Sequence, residues 1–211
     1  MDTNRASLNF YGEMAKQSTS PYDTKLQKRN DFSQYDVKLI LEHSHNVSSL
    51  MDFGSGGGLI INQLVDHFSK IIAIEYFEEF SRFILKAPNL SIVNEDLLLY
   101  EPETSVDMVT MFGTAHHFNT DESLLLYKKA YNALDSDGIF ILKNQFGLGA
   151  TKVVTYSDEL EKDYFAEYRD VTFEVDRLKA IGFSSVDVVD VYPPEANRWN
   201  DTHFYALTCK K

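Results

Sequence analysis

From residue 49 onward the apolar positions follow two alternating rhythms. Short runs rich in β-branched and aliphatic residues read as strands at Ser49–Phe53, Lys70–Glu75, Leu90–Asn94, Val106–Phe112, Ile139–Asn144, Ser185–Val191 and Phe204–Cys209. Between them, apolar residues recur at helical spacing. They do so from Leu59 to His67, at Phe77, Phe80, Phe83 and Ile84 ahead of Pro88, from Leu124 to Tyr131, and from Glu174 to Ile181. The last of these ends at Gly182, a residue type favoured just past a helix C-terminus. Strands that alternate with helices predict a doubly wound α/β sheet with mainly parallel strands. Only Tyr192–Asp201 separates the final two strands, which leaves no room for a crossover helix, so that pair is expected to be antiparallel.

Residues 1–46 depart from this rhythm. They are polar, rich in Tyr and Ser, and contain two helical patterns around Leu8–Lys16 and Tyr35–His43. They are expected to form a helical extension, and "MAKQSTSPYDTK" between the helices lets it act as a lid over the domain formed by residues 47–211.

The 211 residues suit a single core, and 44% hydrophobic with 25% charged residues is ordinary for a globular protein. No apolar run approaches the roughly 20 residues that cross a bilayer, and "MDTNRASLNFYG" has no signal-peptide apolar region. A cytoplasmic location is expected. The single cysteine, Cys209, excludes an internal disulfide and a cysteine-cluster metal site, and its expected role is packing in a strand. A formal charge of −12 opposes non-specific nucleic-acid binding, which needs Lys and Arg to neutralise phosphates. The one basic stretch, Lys25 to Arg29, reads as a solvated helix face. The expected partner is therefore a small molecule, with neither nucleic acid nor membrane; the oligomeric state is open.

The densest chemical signal is "LMDFGSGGGLIIN", residues 50–62. A triphosphate loop requires G-x-x-x-x-G-K-[ST], and no Lys follows Gly58. "DFG" stands without an upstream H-R-D, which removes the kinase reading. The dinucleotide pattern G-x-G-x-x-G wants glycine at position 59, where Leu59 stands. What remains is Asp52-x-Gly54-x-Gly56-x-Gly58, with Ser55 inside it. This stretch resembles the first motif of the class I S-adenosylmethionine-dependent methyltransferases. Glu75 at the end of the second strand, Asp96 after the third and the antiparallel ending agree with that resemblance across residues 49–209.

The resemblance implies a Rossmann-like seven-stranded sheet of six parallel strands plus one antiparallel C-terminal strand. It implies S-adenosylmethionine as cofactor, with S-adenosylhomocysteine as product. It places the methionine tail at the Asp52–Gly58 loop, the ribose hydroxyls at Glu75, the adenine at Asp96, and Leu97 and Phe112 beside the cofactor. After the fourth strand "FGTAHHFNTDE" resembles the family's fourth motif. His117, with His116 as alternate, is the candidate base for a hydroxyl acceptor, because imidazole accepts a proton at neutral pH; the competing reading makes both residues structural. Asn144, Gln145, Arg198, Trp199, Tyr11 and Tyr22 are candidates for holding the acceptor. Gly113, Thr114 and Ala115 stand where a metal-dependent methyltransferase needs carboxylates, so no metal is expected. "FYGEMAKQSTSPYD" together with "NQFG" and "PPEANRWNDTHFYAL" also resembles methyltransferases of bacterial surface-polysaccharide synthesis, which implies O-methylation of a sugar, a nucleotide-linked sugar or a phosphate-derived group. Two alternatives stay open: a nicotinamide-dependent oxidoreductase, and a non-catalytic cofactor-binding subunit.

Overall fold

The computed structural model describes residues 3–24, 31–157 and 161–211, with side chains from residue 5. The basic stretch Lys25 to Arg29, read as a solvated helix face, lies outside the described residues. Helix α1 (Thr3–Gln17), a 3-10 turn at Pro21–Thr24 and α2 (Ser33–Glu42) precede the sheet. The alternating part runs β1 (Ser49–Phe53), α3 (Ile61–Leu64), β2 (Lys70–Ile74), α4 (Glu78–Ser81), β3 (Leu90–Val93), β4 (Val106–Phe112), α5 (Thr120–Ala133) and β5 (Leu134–Gly147). It continues with β6 (Lys152–Ser157), β7 (Lys162–Tyr168), α6 (Val171–Ile181), β8 (Ser185–Asp190) and β9 (Thr202–Lys210).

The main sheet has seven strands in the order β3-β2-β1-β4-β5-β9-β8. β1 pairs in parallel with β2 and β4, and β5 in parallel with β4, whereas β9 runs antiparallel to both β5 and β8. One strand thus opposes the other six, as the short Tyr192–Asp201 connection predicts. Strand residues alternate between two cores. Met51, Phe53, Val109 and Phe140 enter one, and Leu50, Ile71, Met108 and Ile141 enter the other, which is the period of two that places successive side chains on opposite faces. Cys209 packs in the first core, as expected of a small apolar side chain. Among the described residues no helix is long and apolar enough to cross a membrane.

Three features depart from the sequence reading. The helices after β1 and β2 shrink to single turns, although their apolar residues Ile61, Leu64, Phe80 and Ile84 are buried as predicted. The Asn62 side chain accepts from Leu85 N at 2.8 Å and donates to Phe83 O at 3.1 Å, satisfying backbone groups that a longer helix would have paired internally. β5 is also longer than predicted, continuing at both ends into polar residues. Finally, β6 and β7 form a separate two-stranded antiparallel sheet that the apolar pattern did not announce. An isolated hairpin is marginal in water; this one is held by α1, whose Phe10 packs with Tyr164, Ala166 and Tyr168 of β7.

Candidate active site

Strand order reverses between β1 and β4, and the crevice beyond the carboxyl ends of strands at such a point is where open α/β sheets bind ligands. A cleft of about 380 Å³ opens there. At its β1 edge the chain turns through the glycine loop, where Gly54 N and Ser55 N both donate to Ile74 O at 2.9 Å. Gly54 sits at φ +87°, and a Cβ there would collide with the Thr114 side chain. A Cβ on Gly57 would lie 2.6 Å from Pro21 Cα. Part of the space these glycines clear is therefore taken by the protein's own chain: the turn after β4 and the turn after α1 close directly onto the loop.

Two buried carboxylates face this end. Asp52, 6% exposed, accepts from Thr110 Oγ1 at 2.7 Å, and burial pushes its pKa up to about 6 against that hydrogen bond. Glu75, 8% exposed, receives Gly56 N on Oε2 at 2.9 Å and Phe77 N on Oε1 at 3.0 Å. Burial raises its pKa too, with these backbone donors opposing. Each carboxylate oxygen has two lone pairs, so Glu75 retains an acceptor on both oxygens, the donor set that two vicinal hydroxyls require. The residues present fit an adenosyl cofactor in that respect. Asp96 also lines the cleft while its Oδ1 accepts from Leu98 N at 2.9 Å, and Leu97 and Phe112 line it as apolar neighbours.

The opposite end is built around the 3-10 turn Ala115–His117. The buried Arg169, just after β7, donates to Phe118 O at 2.8 Å and to Ala115 O at 2.7 Å, so one guanidinium grips the turn on both sides. It is in turn paired with the fully buried Glu174 at 2.8 Å. Ser7 of α1 donates to His117 O at 3.3 Å. His117 Nδ1 lies 3.5 Å from Phe165 O; a carbonyl only accepts, so Nδ1 carries the proton and Nε2 keeps its lone pair. Desolvation lowers the His117 pKa to about 4 and holds His116 well below the ordinary value, which keeps both rings neutral near pH 7. Tyr11 meets the His117 ring edge-on at 4.7 Å. The helix that follows is capped by Asn119 and Glu122, so the histidines are not its capping residues.

A third group closes the cleft from above. Lys143 of β5 lies 3.0 Å from Asp36 of α2 and 2.6 Å from the Tyr192 hydroxyl, which itself reaches both Asp36 oxygens. This buried cluster fastens α2 to the sheet, so both N-terminal helices contribute to the rim.

Of the residues singled out in the sequence, Asp52, Gly54, Ser55, Gly56, Glu75, Asp96, Leu97 and Phe112 share this cleft with Tyr11, His116, His117, Gln145 and Arg198. The others do not line it. Gly58 packs on Ile84 and Asn62, and Tyr22 is exposed. Asn144 stands behind His116, its Oδ1 3.1 Å from Nδ1, and Trp199 packs edge-on against Tyr168. Sequence reasoning missed Asp36, Lys143, Tyr164, Tyr168, Arg169 and Tyr192. The only signal in the chain was the polar-aromatic alternation of "KDYFAEYR", which reads equally well as a solvated strand. Among the described residues no group of three His, Cys, Asp or Glu side chains is arranged to hold a metal ion.

Residues 51–142 match the family model described as a methyltransferase domain. Several solved structures share the fold. The 1,6-didemethyltoxoflavin-N1-methyltransferase of Burkholderia thailandensis, bound to 1,6-didemethyltoxoflavin and S-adenosylhomocysteine, aligns with a TM-score of 0.75 at 16% identity, covering 96% of this chain and 85% of that one. DhpI in complex with S-adenosylhomocysteine aligns at 0.74 and 17%, covering 98% and 95%. Phosphoethanolamine N-methyltransferase 1 of Haemonchus contortus, with phosphoethanolamine and S-adenosylhomocysteine, aligns at 0.76 and 18%, covering 99% of this chain and 49% of that one. No curated protein matches the sequence. Residues 51–142 thus match a methyltransferase domain, and the chain shares its fold with structures that hold S-adenosylhomocysteine.

Proposed function

We propose that the enzyme methylates an oxygen of a small-molecule acceptor, with the cofactor held at Asp52, the glycine loop, Glu75, Asp96 and Leu97, and with His117 receiving the acceptor's proton. The observation that carries this reading is a single cleft with the buried carboxylates of Asp52 and Glu75 at one end and a neutral imidazole with a free Nε2 at the other. When bound, the cofactor supplies an electrophilic methyl on a sulfonium. The chain's part is to align an acceptor lone pair with it and keep water away. The Ala115–His117 turn, gripped by Arg169, fixes the imidazole, while Tyr11 and α1 cover it.

A base with a pKa near 4 is weak towards a free hydroxyl, yet the oxygen becomes strongly acidic once it carries the methyl. Proton transfer to His117 late in the step is therefore downhill. The bound cofactor would supply the methyl and leave as S-adenosylhomocysteine, and His117 Nε2 would take the acceptor's proton. Residues 1–46 are read as the cover of the site. The acceptor class extends to a sugar, a nucleotide-linked sugar or a phosphate-derived group of surface-polysaccharide synthesis; that two fold neighbours carry small molecules in their structures supports a small acceptor.

The test is calorimetric titration with S-adenosylhomocysteine, followed by a methyl-transfer screen over hydroxyl acceptors with the His117→Ala variant alongside. The expected result is cofactor binding by both proteins and turnover reduced about 10²- to 10⁴-fold in the variant, the usual contribution of a positioned base. Unchanged turnover would remove His117 from the mechanism.

A further inference from the structure

The acceptor end of the cleft holds an unusual set of donors. Tyr164 and Tyr168 stand four residues apart on β7 and share one packed cluster, and Tyr11 reaches them from α1. Phe10 braces Tyr164 edge-on at 5.0 Å, and Trp199 braces Tyr168 at 5.3 Å. The Arg198 guanidinium lies over the Trp199 ring at 4.7 Å and beside the Tyr168 hydroxyl. Among the described residues no carboxylate pairs with Arg198, although the chain carries a formal charge of −12. The Tyr164 hydroxyl, on a side chain 3% exposed, stands together with the hydroxyls of Tyr11 and Tyr168. All three tyrosines line the wall of the cleft.

We infer that Arg198, with the hydroxyls of Tyr11, Tyr164 and Tyr168, forms an anion-binding subsite that takes a phosphate, phosphonate or carboxylate carried by the acceptor. This rests on the methyltransferase reading of the cleft and names its substrate class. Burial raises the pKa of all three phenols, so they stay protonated donors rather than competing anions. A planar guanidinium flanked by hydroxyls matches the oxygens of such groups. Charge sorts the two ends of the cleft: Asp52, Glu75 and Asp96 repel an anion from the cofactor end, and Arg198 attracts it to the other. Tyr11, Glu75 and Arg198 line the same cleft, so the subsite adjoins the cofactor end.

The experiment is calorimetric titration of ethyl phosphate, ethylphosphonate and propionate into the protein with and without S-adenosylhomocysteine, for the native chain, Arg198→Gln and Tyr164→Phe. At least one anion should bind the native protein, about tenfold or more weaker to Arg198→Gln and several-fold weaker to Tyr164→Phe, with cofactor affinity unchanged in both variants. The arm that binds most tightly identifies the anion. No anion binding in any arm, or binding indifferent to Arg198→Gln, overturns the subsite. Failure of the native protein to bind S-adenosylhomocysteine would instead overturn the methyltransferase reading, and the cofactor-free arm would still judge the anion.

Discussion

Replacing Arg169 with Met should destabilise the protein strongly and loosen the histidine turn. Arg169 donates to the carbonyls of Ala115 and Phe118 and pairs with Glu174, which is fully buried. Removing one partner of a buried ion pair costs about 3–5 kcal/mol, because the other charge is stranded. Hydrogen bonds to a charged group add about 1.5–3 kcal/mol each, though not additively. Arg177 still holds Glu174 Oε1 at 2.7 Å and trims the loss, so about 3–5 kcal/mol is expected in all. For a chain of this size each kcal/mol moves the melting temperature by about 2–4 °C, giving a fall of roughly 6–20 °C by circular dichroism. A double variant, Arg169→Met with Glu174→Met, should recover part of it by removing the stranded carboxylate. A shift of under about 3 °C for the single variant, or a double variant less stable than the single one, would refute the reasoning.

Two further outcomes follow from the carboxylate and imidazole geometry. Glu75→Gln keeps the shape but leaves one carbonyl oxygen where two acceptors stood, so calorimetric affinity for S-adenosylhomocysteine should fall about 10- to 100-fold, or about 1.5–3 kcal/mol; a change under threefold would sink the ribose assignment. The pKa of His117, about 4 in the folded protein against about 6.5 unfolded, means that the unfolded chain takes up its proton first as pH falls. The associated stability is complete above about pH 6.5 and drains away towards pH 4, by on the order of 2–3 kcal/mol. Asp52, whose folded pKa is raised to about 6, works in the opposite direction below that pH. Urea unfolding at pH 7 and pH 5 should therefore show a smaller acid loss in His117→Asn than in the native chain, and equal losses would contradict the assigned shift.

The sequence by itself determined what depends on neighbours along the chain. β1 and β4 match the apolar runs residue for residue, because a strand buried on both faces needs only a short apolar segment bounded by turn residues. The Gly182 stop and the antiparallel ending were likewise readable from residue type and connection length. So were the glycine loop and Glu75, since side chains at the carboxyl ends of parallel strands are carried to one edge by topology alone. Tertiary structure decided the rest. Nothing local marks Pro21 as the neighbour of Gly57, Arg169 as the grip on a turn some fifty residues earlier, or Asp36 as the partner of Lys143 more than a hundred residues on. Tyr164 and Tyr168 look like solvated strand residues until α1 folds across β7 and buries them. Periodicity reports which face of an element is apolar; it carries no information about which distant side chain that face will meet, and such meetings complete the histidine end of this cleft.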